Sequence, residues 1–81
     1  MTKRLTRKAF EKWLSEQPAR RLFRTCSPNC CPVASFTNRT IQPFRHRGWA
    51  RSFLYAVDGT THGVEGDITA ARALKILRSI P

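Results

Sequence analysis

The chain has 81 residues, and its fifteen Lys and Arg against five Asp and Glu give a formal net charge of +10. This length leaves room for one modest core, so we expect a single domain over residues 1–81. Apolar residues make up 41% of the chain, with eight aromatic side chains among them, which excludes a disordered tail, and the charge favours an acidic partner.

The positive charge is concentrated in the first two thirds of the chain. Residues 1–24 hold eight basic and two acidic residues, residues 25–52 hold four basic and no acidic ones, and residues 53–81 hold three of each. We therefore expect the basic surface in the first two segments and a neutral scaffold in the third. No apolar run reaches the length of a signal sequence or a membrane span, and the three cysteines form one odd-numbered cluster. Both features predict a cytoplasmic protein without membrane contact.

Helical spacing of apolar residues predicts a first helix from Thr6 to Gln17. Thr6 is a favourable N-cap, and Leu5 before it can pack against Phe10, four positions into the helix. Pro18 should end the helix, because the residue before a proline is disfavoured in helical angles. The apolar stripe of this helix consists of Leu5, Ala9, Phe10, Trp13 and Leu14.

Two shorter elements are predicted next. Residues 20–24 form an extended or turning segment in which Leu22 and Phe23 are buried while the arginines project outward. The Ser-Pro pair at 27–28 is typical of an N-cap followed by proline at the first helical position, which predicts a short helix to about Thr37. The buried face of that helix would carry Cys30, Val33, Ala34 and Phe36.

The period of the apolar pattern changes to two from Trp49 to Val57, which predicts a strand. Asp58-Gly59 is typical of a hairpin turn, with residues 60–64 as the returning strand. Residues 41–44 could add a third strand, at an edge because they include a proline. Thr69 is expected to cap a final helix. The inner face of that helix would carry Ala70, Ala73, Leu74, Leu77 and Ile80.

These elements predict an α+β fold with two N-terminal helices, a β-hairpin or small antiparallel sheet, and a C-terminal helix. The core is expected to consist of Phe10, Trp13, Leu14, Val33, Phe36, Phe53, Tyr55, Leu74 and Leu77.

Cys26, Cys30 and Cys31 are candidate zinc ligands, and His46 or His62 could complete the site. The spacing argues against zinc, since structural zinc sites supply their ligands as two pairs and the chain has no second pair. We expect no bound metal, with Cys30 and Cys26 buried and Cys31 partly exposed. The chain also lacks a phosphate-binding glycine loop and the common hydrolase motifs, so we expect no enzyme, no cofactor and no small-molecule substrate.

The run from Phe44 to Arg51 interleaves arginines with aromatic residues, a pattern typical of nucleic-acid binding. The run matches no base-reading motif, so it indicates a charged surface rather than sequence-specific recognition. The alternative is that Trp49 belongs to the core and the arginines form only a solvated rim. The predicted binding residues are Arg20, Arg21, Arg24, Arg45, Arg47, Trp49 and Arg51.

Three short motifs lie within about residues 5–36: F-x2-W-L-x2-Q-P at 10–18, R-x-F at 21–23 and C-P-V-A at 31–34. In this order they resemble small uncharacterised proteins encoded by phages and prophages. The resemblance implies a short, non-enzymatic protein of the host cytoplasm that acts by occluding a host machine. It carries no catalytic or binding position onto this chain.

Three functions follow as hypotheses. The first is a basic binding protein of phage type that engages nucleic acid or a host nucleoprotein complex, with an anti-CRISPR-like inhibitor of host defence as a special case. The second is a protein-only adaptor that docks on an acidic protein surface. The third is a small zinc-binding module with Cys26, Cys30, Cys31 and His46 as ligands. The sequence favours the first.

Overall fold

The computed structural model describes residues 5–42 and 45–80, and within them the chain forms four helices and a two-stranded antiparallel sheet. The predicted α+β class is confirmed, whereas the predicted order of elements is wrong. In chain order the elements are α1 (Arg7–Ser15), β1 (Leu22–Thr25), α2 (Pro32–Thr37), α3 (Trp49–Gly59), β2 (Gly66–Thr69) and α4 (Ala70–Ser79).

Helix α1 begins as predicted. The Thr6 hydroxyl accepts a hydrogen bond from the Ala9 amide at 3.2 Å, so the N-cap is confirmed. Phe10 and Leu14 are fully buried, and the helix packs against α2 and α4. The Arg7 guanidinium donates to the main-chain carbonyls of Leu77, at 3.1 Å, and of Ile80. One side chain of α1 thus satisfies carbonyls at the C-terminal end of α4, which ties the two ends of the chain together.

The sheet joins two segments far apart in the sequence. Strand β1 pairs with β2 in a register that places Phe23 opposite Ile68, and both side chains are buried. The extended segment predicted around residues 20–24 is confirmed, but only Phe23 of its two apolar residues is buried, since Leu22 is 60% exposed. Successive side chains of a strand point to opposite faces, and only one face of this sheet meets the core.

The predicted strand from Trp49 to Val57 is wrong, because this segment is helix α3. Its buried residues recur at helical spacing, and Tyr55, which a strand would have placed in the core, is 50% exposed. Asp58 and Gly59 end the helix instead of forming a hairpin, and residues 60–64 form turns rather than a returning strand. The buried face of α3 consists of Ala50, Phe53, Leu54 and Val57.

Helix α2 begins four residues later than predicted. Its first residue is Pro32, and Cys31 is its N-cap, with the sulfur accepting a hydrogen bond from the Ala34 amide at 3.3 Å. The Ser-Pro pair at 27–28 lies instead in a turn, where the Ser27 hydroxyl accepts from the Cys30 amide. Ser27-Pro28 and Cys31-Pro32 both match the pattern of an N-cap followed by proline at the first helical position. The helix begins at the second pair, where Cys31 is buried.

The edge strand predicted for residues 41–44 is absent at 41–42, which are irregular, and its other half lies outside the described residues. The C-terminal helix is confirmed, with the Thr69 hydroxyl accepting from the Arg72 amide at 3.2 Å. Among the part of the chain that the structure describes, no helix is long and apolar enough to cross a membrane.

The centre of the core is aromatic. Six rings form what we call the aromatic cluster, linked by centroid distances of 5.3 to 6.0 Å. Its members are Phe10, Trp13, Phe23, Phe36, Trp49 and Phe53. Phe10 contacts four of the other five rings and is fully buried, whereas the two tryptophans are only partly buried. Leu74 is likewise partly buried, so the predicted core is right except for Tyr55.

Candidate functional site

The connection from Asn38 to Gly48 joins α2 to α3, and its first half is held firmly. Asn38 adopts the left-handed conformation (φ 57°), and its amide donates to the Ala34 carbonyl at 2.8 Å, which reverses the chain after α2. The Thr40 hydroxyl donates to Asn29, and the buried Ile41 donates its amide to Pro28 at 2.7 Å. The backbone of this connection is therefore anchored to the 28–29 turn.

The connection ends at Gly48, the N-cap of α3, which has a φ of 63° and a ψ of −137°. Only glycine adopts this region readily. The turn directs Trp49 toward the core, where its ring stacks on Phe10 with centroids 5.8 Å apart and planes 28° from parallel. Trp49 packs on the core and is still partly exposed to solvent. It is therefore neither a fully buried core residue nor a fully exposed binding residue.

Four arginines that we call the arginine surface lie along and just after this connection: Arg39, Arg45, Arg47 and Arg51. All four are exposed, and none has a carboxylate within ion-pair distance among residues 5–42 and 45–80. The Arg51 guanidinium lies 5.6 Å from the centre of the Tyr55 ring. Three of the four were predicted; Arg39 was missed, although it lies in the same acid-free stretch of sequence, residues 25–52.

The other predicted arginines lie around β1 and differ from one another. Arg20 is exposed. The Arg21 guanidinium lies over the rings of Trp13, at 5.5 Å, and Phe23, at 4.8 Å, so it covers the edge of the aromatic cluster. Arg24 pairs with two carboxylates of the β2 region, as described next, so its charge is already compensated.

The Arg24 guanidinium lies 2.8 Å from an Asp67 oxygen and 3.2 Å from a Glu65 oxygen. The hydrogen bonds that the guanidinium donates to Asp67 and then to Glu65 raise its pKa above the ordinary value. A phosphate or an acidic side chain of a partner would have to compete with both carboxylates. Arg24 is therefore the weakest of the predicted binding residues.

Residues 53–81, the predicted neutral scaffold, carry basic side chains of which only one forms an ion pair in the described residues. Arg78 pairs with Glu11 at 3.2 Å, but Arg72 and Lys75 on α4 have no carboxylate within ion-pair distance in the described part of the chain. Two of the three basic residues of the last third therefore have no ion pair in the described part of the chain. The β1–β2 pairing brings Glu65 and Asp67 to Arg24, while Asp58 at the end of α3 accepts from the Cys26 amide.

The cysteines are placed in the opposite order to the one expected. Cys31 is buried and Cys30 is exposed, because Cys31 caps α2 from inside while Cys30 lies in the turn before it. Cys26 is half-buried in the left-handed conformation (φ 55°), and its amide donates to the Asp58 carboxylate at 2.8 Å.

Burial, followed by the nearby negative charge of Asp58, raises the pKa of the Cys26 thiol, and burial likewise raises that of Cys31. Both thiols line a pocket of about 300 Å³. Neither His46 nor His62 lines this pocket, so no imidazole lies there to take a thiol proton. The environment stabilises the neutral thiol, which is the opposite of what a nucleophilic cysteine needs.

The alternative zinc ligands Cys26, Cys30, Cys31 and His46 do not form a metal-binding group in the structure. Within the residues whose placement is described, no three His, Cys, Asp or Glu side chains come together in a way that could hold a metal ion. His46 borders a groove with Arg39 and Arg45 and does not line the cysteine pocket, and His62 is exposed in a turn.

Comparison of the chain with models of known protein families, with curated proteins and with solved structures finds no match.

Proposed function

We propose that this protein is a non-enzymatic binding protein whose arginine surface engages nucleic acid or a nucleoprotein complex. The observation that carries the proposal is how the carboxylates are distributed. Glu65 and Asp67 face Arg24, Glu11 faces Arg78, and Asp58 accepts from a main-chain amide. The fifth acidic residue, Glu16, is exposed and forms no ion pair with an arginine in the described residues. The exposed guanidinium groups of the arginine surface are thus left to an external anion.

The chemistry of this surface suits phosphates better than base edges. Guanidinium groups bind phosphate oxygens through two parallel hydrogen bonds, and such contacts position a nucleic acid without reading its sequence. The partly exposed ring of Trp49 adjoins these arginines and offers a surface on which a base can stack. We therefore propose binding that is salt-dependent and largely independent of sequence.

The proposal also includes the setting. We propose that the protein works in the cytoplasm of a host cell as a phage-type protein without catalytic activity, and that occluding a host nucleoprotein complex, in the manner of an anti-CRISPR, is one form of this function. The raised pKa values of Cys26 and Cys31 argue against a nucleophilic role for these two thiols.

The test compares two variants that reverse the same amount of charge. Arg47→Glu with Arg51→Glu changes the arginine surface, and Arg72→Glu with Lys75→Glu changes two equally exposed α4 residues that also lack a carboxylate partner in the described residues. Binding of labelled single-stranded and duplex oligonucleotides would be followed by fluorescence anisotropy across a range of salt. Each lost phosphate contact should lower the magnitude of the salt slope by about 0.7–0.9.

We expect the Arg47/Arg51 variant to bind oligonucleotides more weakly and with a smaller salt slope. The Arg72/Lys75 variant should keep most of the affinity and of the salt slope, and the circular dichroism spectra of both should match that of the parent. Equal losses would show that only net charge matters and would overturn a localised surface. No oligonucleotide binding by the parent protein at low salt would overturn the nucleic-acid function itself.

One observation favours the second candidate, an adaptor for an acidic protein. Tyr55 is 50% exposed on α3 with the Arg51 guanidinium over its ring, and tyrosine and arginine are enriched where protein interfaces carry most of their binding energy. The adaptor predicts a complex from host lysate that survives nuclease and is lost in Tyr55→Ala, together with no affinity for oligonucleotides. Loss of the complex on nuclease treatment would reject it.

A further inference from the structure

Resting on the proposed function, we infer that a groove at the first half of the arginine surface is a subsite for one phosphate group of the nucleic-acid backbone. The groove has a volume of about 360 Å³. Its lining residues are Arg39, Thr40, Ile41, Gln42, Arg45 and His46. Two guanidinium groups, an imidazole and an amide thus border one opening, and no carboxylate of the described residues borders it.

The fold brings these side chains together through two chain reversals. The left-handed Asn38 turns the chain at the end of α2, just before Arg39. The Arg45 amide donates to the Gln42 carbonyl at 3.0 Å, which folds the chain back so that Arg45 faces the same groove as Arg39. Between the two reversals the backbone is anchored by the buried Ile41. The two arginines are therefore placed by the backbone before any ligand arrives, which lowers the entropy cost of binding.

The donors around the groove match a phosphate. Arginine presents a planar fork of N–H donors and accepts nothing, so an anion is the ligand that it satisfies. Arg39 and Arg45 are exposed, and among the described residues neither has an acidic neighbour within ion-pair distance. The Gln42 amide and the His46 ring add further N–H donors that a phosphate oxygen can also use.

The groove on α4 is the natural comparison. It is larger, about 680 Å³, and is bordered by Arg72, Lys75 and the partly buried Ile76. A lysine there replaces the second guanidinium fork, and lysine binds phosphate only as a point charge. Both pairs are exposed and unpaired within the described residues, so the α4 pair is a matched control.

The experiment uses the full chain and two double variants, Arg39→Gln with Arg45→Gln and Arg72→Gln with Lys75→Gln. Affinity for a labelled oligonucleotide is measured across salt, with and without a 5′-phosphate on the probe. If both arginines hold the same phosphate, the first variant loses about tenfold or more in affinity. The salt slope should then fall by about 0.7–0.9, the value for one phosphate, and not by twice that. The α4 variant should retain the parent slope.

A second measurement separates the groove from the wider function. Inorganic phosphate is titrated into isotope-labelled protein, and the amide signals of Arg39, Gln42 and Arg45 should shift in the parent but not in the Arg39/Arg45 variant. If inorganic phosphate shifts these amide signals but the parent protein binds no oligonucleotide, the groove is a phosphate site and the nucleic-acid function is overturned. Oligonucleotide binding that Arg39→Gln/Arg45→Gln leaves intact, or that both double variants weaken equally, would overturn the groove and leave the wider function standing. Binding only to 5′-phosphorylated probes would overturn the backbone as the source and assign a terminal phosphate.

Discussion

The aromatic cluster and the arginine surface adjoin each other at Trp49, yet they are built in opposite ways. The four phenylalanines of the cluster are buried, the two tryptophans are partly buried, and the ring centroids lie 5.3 to 6.0 Å apart. The arginine surface has exposed charges with no ion pair in the described residues. We therefore expect stability and the proposed partner binding to depend on different residues, so that substitutions separate the two.

The largest effect is expected from Phe10→Ala. Phe10 is fully buried at the centre of the aromatic cluster, and truncation of a buried phenylalanine costs about 3–5 kcal/mol, much of the stability of a small domain. Trp13→Ala should cost less, because Trp13 is partly exposed. Chemical denaturation measures both, with Leu22→Ala, at a 60% exposed site, as the control. A Trp13 loss larger than that of Phe10 would contradict this view of the cluster.

The next effect is expected from Thr25→Val. Thr25 is fully buried, its hydroxyl lies 2.6 Å from that of Thr61, and it accepts the Gly66 amide at 3.0 Å. Valine keeps the shape of threonine but leaves the Gly66 amide without its acceptor, and such an unpaired donor costs about 1–3 kcal/mol. Thr40→Val, at an exposed residue of the connection, should change stability by no more than about 0.5 kcal/mol. Equal losses of stability in Thr25→Val and Thr40→Val would contradict the view that stability depends on the core and not on the connection between α2 and α3.

Gly48 lies where the two regions meet. Gly48→Ala forces a side chain into a backbone region that alanine rarely adopts, at a cost of about 1–3 kcal/mol, although nothing crowds the new methyl group. Gly59→Ala is the opposite case, at a position with open space and no left-handed backbone, and should stabilise by about 0.4–1 kcal/mol. Thermal melts decide, and a stabilising Gly48→Ala would mean that α3 can begin without this conformation.

Paired and unpaired arginines should differ slightly in stability. Arg24→Gln removes two exposed ion pairs, with Asp67 and Glu65, so a small fall in melting temperature is expected that shrinks as salt is added. Arg45→Gln removes no ion pair found in the described residues and should leave the melting temperature unchanged. A larger fall for Arg45→Gln would show that the connection contributes to folding.

The smallest effect is expected from a chelator. No metal-binding group of side chains lies in the described part of the chain, and the Cys31 sulfur already accepts a main-chain hydrogen bond. We expect the melting temperature to be the same with and without chelator, and native mass spectrometry to give the mass of the reduced, metal-free chain. Loss of a bound zinc ion together with loss of the fold would support the zinc-binding module instead.

The helices α1 and α4 could be predicted because cap and apolar stripe agree in each, and both signals act within a few residues. The segment of α3 could not, since Trp49, Phe53 and Val57 recur every four residues, which fits a strand period of two as well as a helix. Ala50 and Leu54 complete the helical stripe, and their burial in the structure settles the choice. In the candidate site, exposure of Arg45 and Arg47 was predictable from a stretch without acids, whereas Arg39 was overlooked because it lies apart from the aromatic run.

The sequence by itself determined the net charge, the acid-free middle of the chain, the N-caps of α1 and α4 and most of the core, because each depends on composition or on neighbours along the chain. Only the tertiary structure decided which arginines remain available to a partner. Arg24 loses its availability to Asp67, 43 residues away, through a strand pairing that no local signal predicts. Ion pairs and hydrogen bonds act over a few ångströms, so the role of a charged side chain depends on what the fold places beside it.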